Sequence, residues 1–380
     1  MYFTMLGSLI AKELRQTFRD KRMLFLLMVA PLIQLCVLGF AVNMEVEQVP
    51  VLLADEDGTP QSRALLAGLL AGDTFLPAGT VDGGEAAAEA IGRGVAPIAV
   101  VVPRGYARRL VHGRAATVQV LVDGGDSNRA IVAQNAIAAY VLARAVQLAR
   151  ERLAELARAR GLAIGQTPLV VEPRILYNPT LNSQVYFVPG VAATLLLIVT
   201  VVVTAMGLAR EKELGTLEQV LVTPLGPTTI ILGKTLPYAA IGLVDLGLVI
   251  AGGAWIFHVP LRGDLAILFA AGLLYLMTVL GIGLLVSTLA QSQQQAFMGA
   301  IFFVMPAILL SGFVTPVENM PSWLQPFTVL DPTRHFVEVM RAVLLKDASL
   351  PEVGAQLVAM AGLGITVFAG SAALLRSKLG

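Results

Sequence analysis

One carboxylate stands within an otherwise apolar run, Asp245 in Leu236–Phe257. A carboxyl kept from water has to be paired, hydrogen-bonded or protonated, so a residue of this type is a candidate functional group by default. Three roles are open to it: lining a substrate path, holding a cationic group, or carrying a proton. A hydrogen bond to a neighbouring Ser, Thr or Tyr would hide it from lipid equally well. Other candidate chemistry is thinner. Gly233-Lys234-Thr235 looks like the end of a phosphate loop, but the position five residues before Gly233 is Thr228 rather than glycine, and Gly226 lies too far back. The chain is therefore not expected to bind ATP. His112, His258 and His335 are far apart and lack ligand spacing, and Cys36 is the only cysteine, so neither a disulfide nor a cysteine metal site can form within the chain. Asp55, Asp57, Asp123 and Asp126 sit beside glycines, where acidic residues serve turns, and they match no metal-binding loop. There is no HExxH and no Gly-x-Ser-x-Gly, so no catalytic residue, metal or cofactor is expected.

The elements that position Asp245 are read from composition. Of 380 residues 56% are apolar and 14% are charged, against about 25% charged in ordinary soluble domains. Net charge is +1, which gives no reason to expect nucleic acid as a partner. Charge is concentrated in residues 43–185, which hold 13 Arg, no Lys and 14 Asp or Glu. Outside that segment run apolar stretches of about 20 residues, the length that crosses a bilayer. They are 23–42, 186–208, 236–257, 265–289, 296–314 and 357–375. The first has a basic start like a secretory signal, but its apolar run exceeds the usual 7–15 residues.

These stretches predict an all-α membrane bundle of six transmembrane helices with an α/β domain, 43–185, inserted after the first. Lys and Arg gather before the first span, after the sixth and between the second and third, which places both termini in the cytoplasm and the inserted domain outside. Residues 315–356 form a second outside segment, with Trp323 as an interfacial anchor, and 376–380 a short cytoplasmic tail. Within 1–22, Leu6, Leu9, Ile10, Leu14 and Phe18 share one helical face, predicting an amphipathic helix in the membrane interface. In the inserted domain, strands are expected at 49–54, 98–102 and 118–122, and helices at 61–70, 85–93 and from Ser127 to about Arg160. This alternation predicts a mostly parallel sheet covered by helices.

The loop 209–235 is the most informative stretch. Gly215 breaks the helix leaving the membrane. Thr216 and Gln219 form a capping box that starts a short new helix, whose apolar face is Leu217, Val220 and Leu221. Thr223-Pro224 ends it, because the residue before proline disfavours the helical region. The acidic neighbours Glu211, Glu213 and Glu218 suit pairing with basic groups. An apolar face flanked by acids makes this a docking element.

The run Glu211-Lys-Glu-Leu-Gly-Thr-Leu-Glu-Gln-Val-Leu-Val-Thr-Pro resembles the cytoplasmic loop of ABC-2 type permeases, the membrane subunits of bacterial ABC exporters. The large domain after the first span is similar to that of the family's drug-export permeases. The resemblance implies a multi-pass protein of the bacterial inner membrane that moves drugs or other amphipathic molecules outward. It implies that Glu211, Glu213, Gly215, Thr216, Leu217, Glu218, Gln219, Val220, Leu221, Thr223 and Pro224 carry the coupling helix, which seats in a groove of a separate ABC ATPase subunit. That subunit would hold the ATP and Mg that this chain lacks. It further implies a second permease copy or sister permease, and a periplasmic adaptor protein as a further partner. A membrane sensor whose outside domain binds a ligand is the alternative.

Overall fold

In the computed structural model the chain is mostly helical with one four-stranded sheet. Residues 2–41, 48–72, 74–125, 127–160, 176–179, 182–215 and 227–379 are described. The chain divides into two compact units, Met1–Asn43 with Arg174–Gly380, and Met44–Pro173.

The unit Met44–Pro173 runs β1 (Val49–Asp55), α4 (Pro60–Leu70), β2 (Phe75–Thr80), α5 (Gly84–Gly92), β3 (Ile98–Val102), α6 (Tyr106–Val111), β4 (Gln119–Val122) and α7 (Ser127–Ala159), numbered after α1–α3 (Tyr2–Arg19, Lys21–Leu24 and Ala30–Ala41) of the other unit. The sheet order is β2-β1-β3-β4. β1 is parallel to both its neighbours, and β4 is antiparallel to β3. Alternating side chains of a strand face opposite ways. Ile98, Val100 and Val102 accordingly pack with Leu65, Leu69 and Ile137, while Ala99 and Val101 pack with Ala87 and Ala90. β2 was not legible in the sequence, because Pro77 and Gly79 are poor strand residues. It is tolerated as an edge strand with an irregular register, in which Val51 pairs with Pro77 and Leu52 with Gly79. The turn acids serve the backbone. Asp55 accepts from Gly58 N and the Ser62 hydroxyl, and Asp123 from Gly125 N. Asp57 accepts from Gly105 N and Ala107 N, and the Ala107 N–H is the foremost cause holding its carboxyl below the usual range. Asp126 lies outside the described residues.

The other unit is a helical bundle. Among the described residues six helices are long and apolar enough to cross a membrane, over Ala130–Ala159, Ser183–Glu213, Ile231–Ile256, Leu265–Leu289, Gln293–Leu310 and Leu350–Leu374. The last five overlap the stretches expected from 186 onward. Ala130–Ala159 belongs to α7, which the sequence reading kept out of the membrane. Its Ala133, Ile137 and Tyr140 pack on the sheet, and the Tyr140 hydroxyl donates to Leu65 O. Its many alanines raise its hydropathy.

The first expected span is helical from Lys21 to Ala41, with one wide π turn at Phe25–Val29 and a shorter apolar stretch, Leu27–Ala41. Ala30 N donates to Phe25 O across that turn. A proline ring clashes with the carbonyl four residues back and supplies no N–H. A widened turn just before Pro31 absorbs that defect.

The bundle continues with α8 (Ser183–Glu213), α9 (Pro227–Ile256), α10 (Leu265–Leu289), α11 (Gln293–Leu310), α12 (Pro332–Lys346) and α13 (Leu350–Leu379). α8 and α10 are the most enclosed, with α3, α9, α11, α12 and α13 packed around them. α12 lies in the expected outside segment and was not read as a helix. It starts on an Asp331 cap, whose side chain accepts from Thr333 N, and buries Phe336, Val339, Met340 and Val343. The Phe336 ring stacks on Tyr275 of α10 at 4.4 Å. Trp323 is exposed.

Candidate functional site

α8 ends at Glu213, and Gly215 at φ +69 turns the chain away in the left-handed region that glycine enters at little cost. α9 begins at Pro227, whose fixed φ suits a first turn. Thr216, Leu217, Glu218, Gln219, Val220, Leu221, Thr223 and Pro224 lie outside the described residues. Glu211, Glu213 and Gly215 are described, and the two acids are tied to the bundle on both sides of the loop.

On one side, Lys234 of α9 is buried between acids from two other helices. Its Nζ is 2.5 Å from Glu211 of α8 and 3.6 Å from Glu13 of α1. Lys12 adds a second cation 3.6 Å from Glu13. Buried charges need such partners, because each loses its hydration. The residues around Lys234 complete the seat. Gly233 leaves room for Leu9 of α1, where a side chain would collide, and Thr235 donates back to Ile231 O. Gly233-Lys234-Thr235 thus packs the amphipathic helix α1 against the start of α9. Sequence reading dismissed the triplet as a phosphate loop and missed this role. The available signal was a lysine at the edge of an apolar run.

On the other side, Lys212 Nζ donates to the carbonyls of Ser287, Thr288 and Ala290 at the end of α10. The last carbonyls of a helix generally lack intrahelical partners, and a cation suits the negative end of the helix dipole. Glu213 accepts from Gln293 N and Nε2 at the start of α11, the end that favours an anion. The Gln293 side chain and then its N–H hold the Glu213 carboxyl below its ordinary range.

A cavity of 330 Å³ opens among these groups, bordered by Lys12, Glu13, Arg210, Glu211, Lys234 and Tyr238 among others. Asp245 lies further along α9 and is only 2% exposed. Its Oδ1 has no hydrogen-bond partner among the described residues. It faces a second cavity of 10 Å³, walled by Leu27, Val199, Thr200, Val203, Thr204, Tyr238, Ile241 and Gly242. That is about the space of one water. Among the described residues, no Ser, Thr or Tyr of a neighbouring helix hydrogen-bonds that oxygen.

The amino-acid sequence matches the family model for ABC-2 family transporter protein over residues 21–373. It is 35% identical to the probable multidrug ABC transporter permease YbhR of Escherichia coli (strain K12), covering 98% of this chain and 97% of that one. It is 30% identical to the probable multidrug ABC transporter permease YbhS of the same organism, over 89% of this chain and 88% of the relative. It is 28% identical to its inner membrane transport permease YhhJ, over 97% and 95%. A family model spanning nearly the whole chain, together with a near full-length relative and a bundle of long apolar helices, makes this chain a multi-pass membrane protein of the ABC-2 transporter family.

Proposed function

We propose that the protein is the permease subunit of an ABC exporter in a bacterial inner membrane, moving drugs or other amphipathic molecules out of the cytoplasm or the membrane. The observation that carries this reading is the bracing of the residues that flank the loop 216–226. Both flanks are tied to the bundle, through Lys234 to Glu13 and Glu211, and through Lys212 and Glu213 to the turn between α10 and α11. A push on the loop would be passed to α1, α8, α9, α10 and α11 together rather than lost in a flexible connection.

In this reading Lys21–Ala41 is the first of six spans, since at 1.5 Å per residue it is about 30 Å long. α8, α9, α10, α11 and α13 are the others. Basic residues such as Lys12, Arg15, Arg19, Arg210, Lys212 and Arg376 favour a cytoplasmic side for both termini and the loop, and a periplasmic side for residues 43–185, where an adaptor protein has a domain to meet. Two such chains, copies or sisters, pair above two ATPase subunits that bind ATP and Mg. Closure of the ATPases drives the loops and rocks the bundles between inward and outward openings.

The test is the loop itself. Burying one leucine contributes about 1.5–3 kcal/mol, and an aspartate in its place puts charge into an apolar socket. Leu217→Asp with Leu221→Asp is expected to abolish co-purification of the ATPase and its stimulation, with the permease still inserted and folded. Glu218→Lys is expected to weaken docking less, and less still at high salt. Full capture and normal activity of the double variant would overturn the reading.

A further inference from the structure

The two cavities share part of their lining. Thr204 of α8 and Tyr238 of α9 border both, so these two side chains alone are shared between the 330 Å³ cavity and the small chamber at Asp245. The Tyr238 hydroxyl lies against Gly207 of α8, where a Cβ would come within 3.3 Å of it. Turning that one phenol would join the chamber to the larger cavity, whose 330 Å³ falls in the range of about 300–1,000 Å³ of small-molecule sites. The joined space has the polarity of an amphiphile site. Its far end is apolar, with Leu27, Val199, Val203 and Ile241, and carries a single buried carboxylate with an open oxygen. Thr204 Oγ1 is likewise without a partner among the described residues.

From this we infer that Asp245 is the anchor for the positive charge of a lipophilic cation, admitted from the larger cavity past Tyr238 and Thr204. The inference rests on the permease reading and names the substrate class that the reading leaves open. A buried carboxylate with no counter-ion is unfavourable, so without a cationic ligand Asp245 is expected to hold a proton or one water. An arriving cation supplies the missing counter-charge and the proton leaves. Binding of the cation and release of a proton are then one event, and affinity rises with pH until Asp245 is ionised without the ligand.

Few other groups can titrate there. Among the described residues Tyr238 is the only other ionisable residue on the chamber wall, and α8 and the first span present Val199, Thr200, Val203, Thr204 and Leu27. On α10 the Tyr275 hydroxyl is engaged with Ala193 O and Thr333. The described ionisable residues of α13 are Glu352 and Arg376, near its two ends. Lys12, Glu13, Arg210, Glu211 and Lys234 stand beyond Tyr238, in the larger cavity.

The probe is tetraphenylphosphonium, with tetraphenylborate as its near-isosteric anion, measured by equilibrium binding to the full-length protein in lipid nanodiscs against empty nanodiscs. Wild type is expected to bind the cation and not the anion, more tightly at pH 8 than at pH 6, and to release protons into a weak buffer on binding. Asp245→Asn keeps the size of the side chain and is expected to lose affinity at least tenfold, with no pH dependence and no proton release. The proton measurement on wild type needs no variant, so misfolding of the variant leaves the test intact. Equal affinity for both ions, absent proton release, or an Asn variant that binds like wild type would each overturn the inference and leave Asp245 as the seat of a structural water. A wild type that fails to bind the cation yet captures its ATPase sinks this inference alone. One that binds the cation but captures no ATPase sinks the permease reading instead.

Discussion

At the scale of the residue, the decisive side chain is Lys234. It is buried with Glu13 and Glu211, and one cation holds three helices. Removing one partner of such a group is strongly destabilising, by about 3–5 kcal/mol, because the charges left behind stay buried. Lys234→Ala is expected to lower the thermal unfolding midpoint in detergent clearly. Adding Glu13→Gln, which removes one of the stranded carboxylates, is expected to recover part of the loss. A midpoint unchanged by Lys234→Ala would mean that the ion pairs contribute little. Only half of this was visible in the sequence. Glu211 stood out through the loop motif, but nothing in a linear reading brings Glu13 and Lys234 together, since they are far apart in the chain and meet only where α1 packs on α9.

At the scale of the element, α12 was the part not anticipated. Its residues Pro332–Lys346 alternate charge and apolarity at helical spacing, and the stretch is too short and too charged to be sought as a span. What holds it is contact with the bundle. Gly263, just before α10, donates its N–H to Val343 O at 3.0 Å. A Cβ at Gly263 would lie 2.5 Å from that same backbone oxygen, which cannot swing aside as a side chain can. Gly263→Ala is therefore expected to displace α12 and lower the unfolding midpoint. Gly354→Ala, inside α13 with open space around it, is expected to be neutral or stabilising by up to about 1 kcal/mol through helix propensity. Equal effects of the two substitutions would remove the close approach as the cause. β2 was illegible for a related reason. Pro77 and Gly79 argue against a strand locally, and only pairing with β1 makes the segment one.

At the scale of the whole molecule, the proposed arrangement across the membrane has a direct measurement. With Cys36→Ser as background, Asp82→Cys places a thiol on an exposed site of the unit Met44–Pro173. It is expected to react with a membrane-impermeant reagent in intact spheroplasts. Labelling only after lysis would place that unit in the cytoplasm and reverse the proposed orientation.

The sequence by itself determined the class of this protein. Apolar runs long enough to cross a bilayer, broken by one charged segment, leave little choice of architecture, because lipid requires every spanning backbone group to bond within its own helix. The motif from Glu211 to Pro224 pointed to the ABC-2 family, and the family match agrees. Asp245 was conspicuous for the same reason, as a lone carboxyl where water is scarce. Only the tertiary structure decided what surrounds it. Whether such a carboxyl is a packing hydrogen bond or an open site depends on which side chains of α8 and the first span face it, and those faces are set by helix rotation and by small residues such as Gly207 and Gly242. The near-empty chamber, its shared wall of Thr204 and Tyr238, and the Lys234 clasp all arise from contacts between helices distant in sequence, which no local pattern of residues encodes.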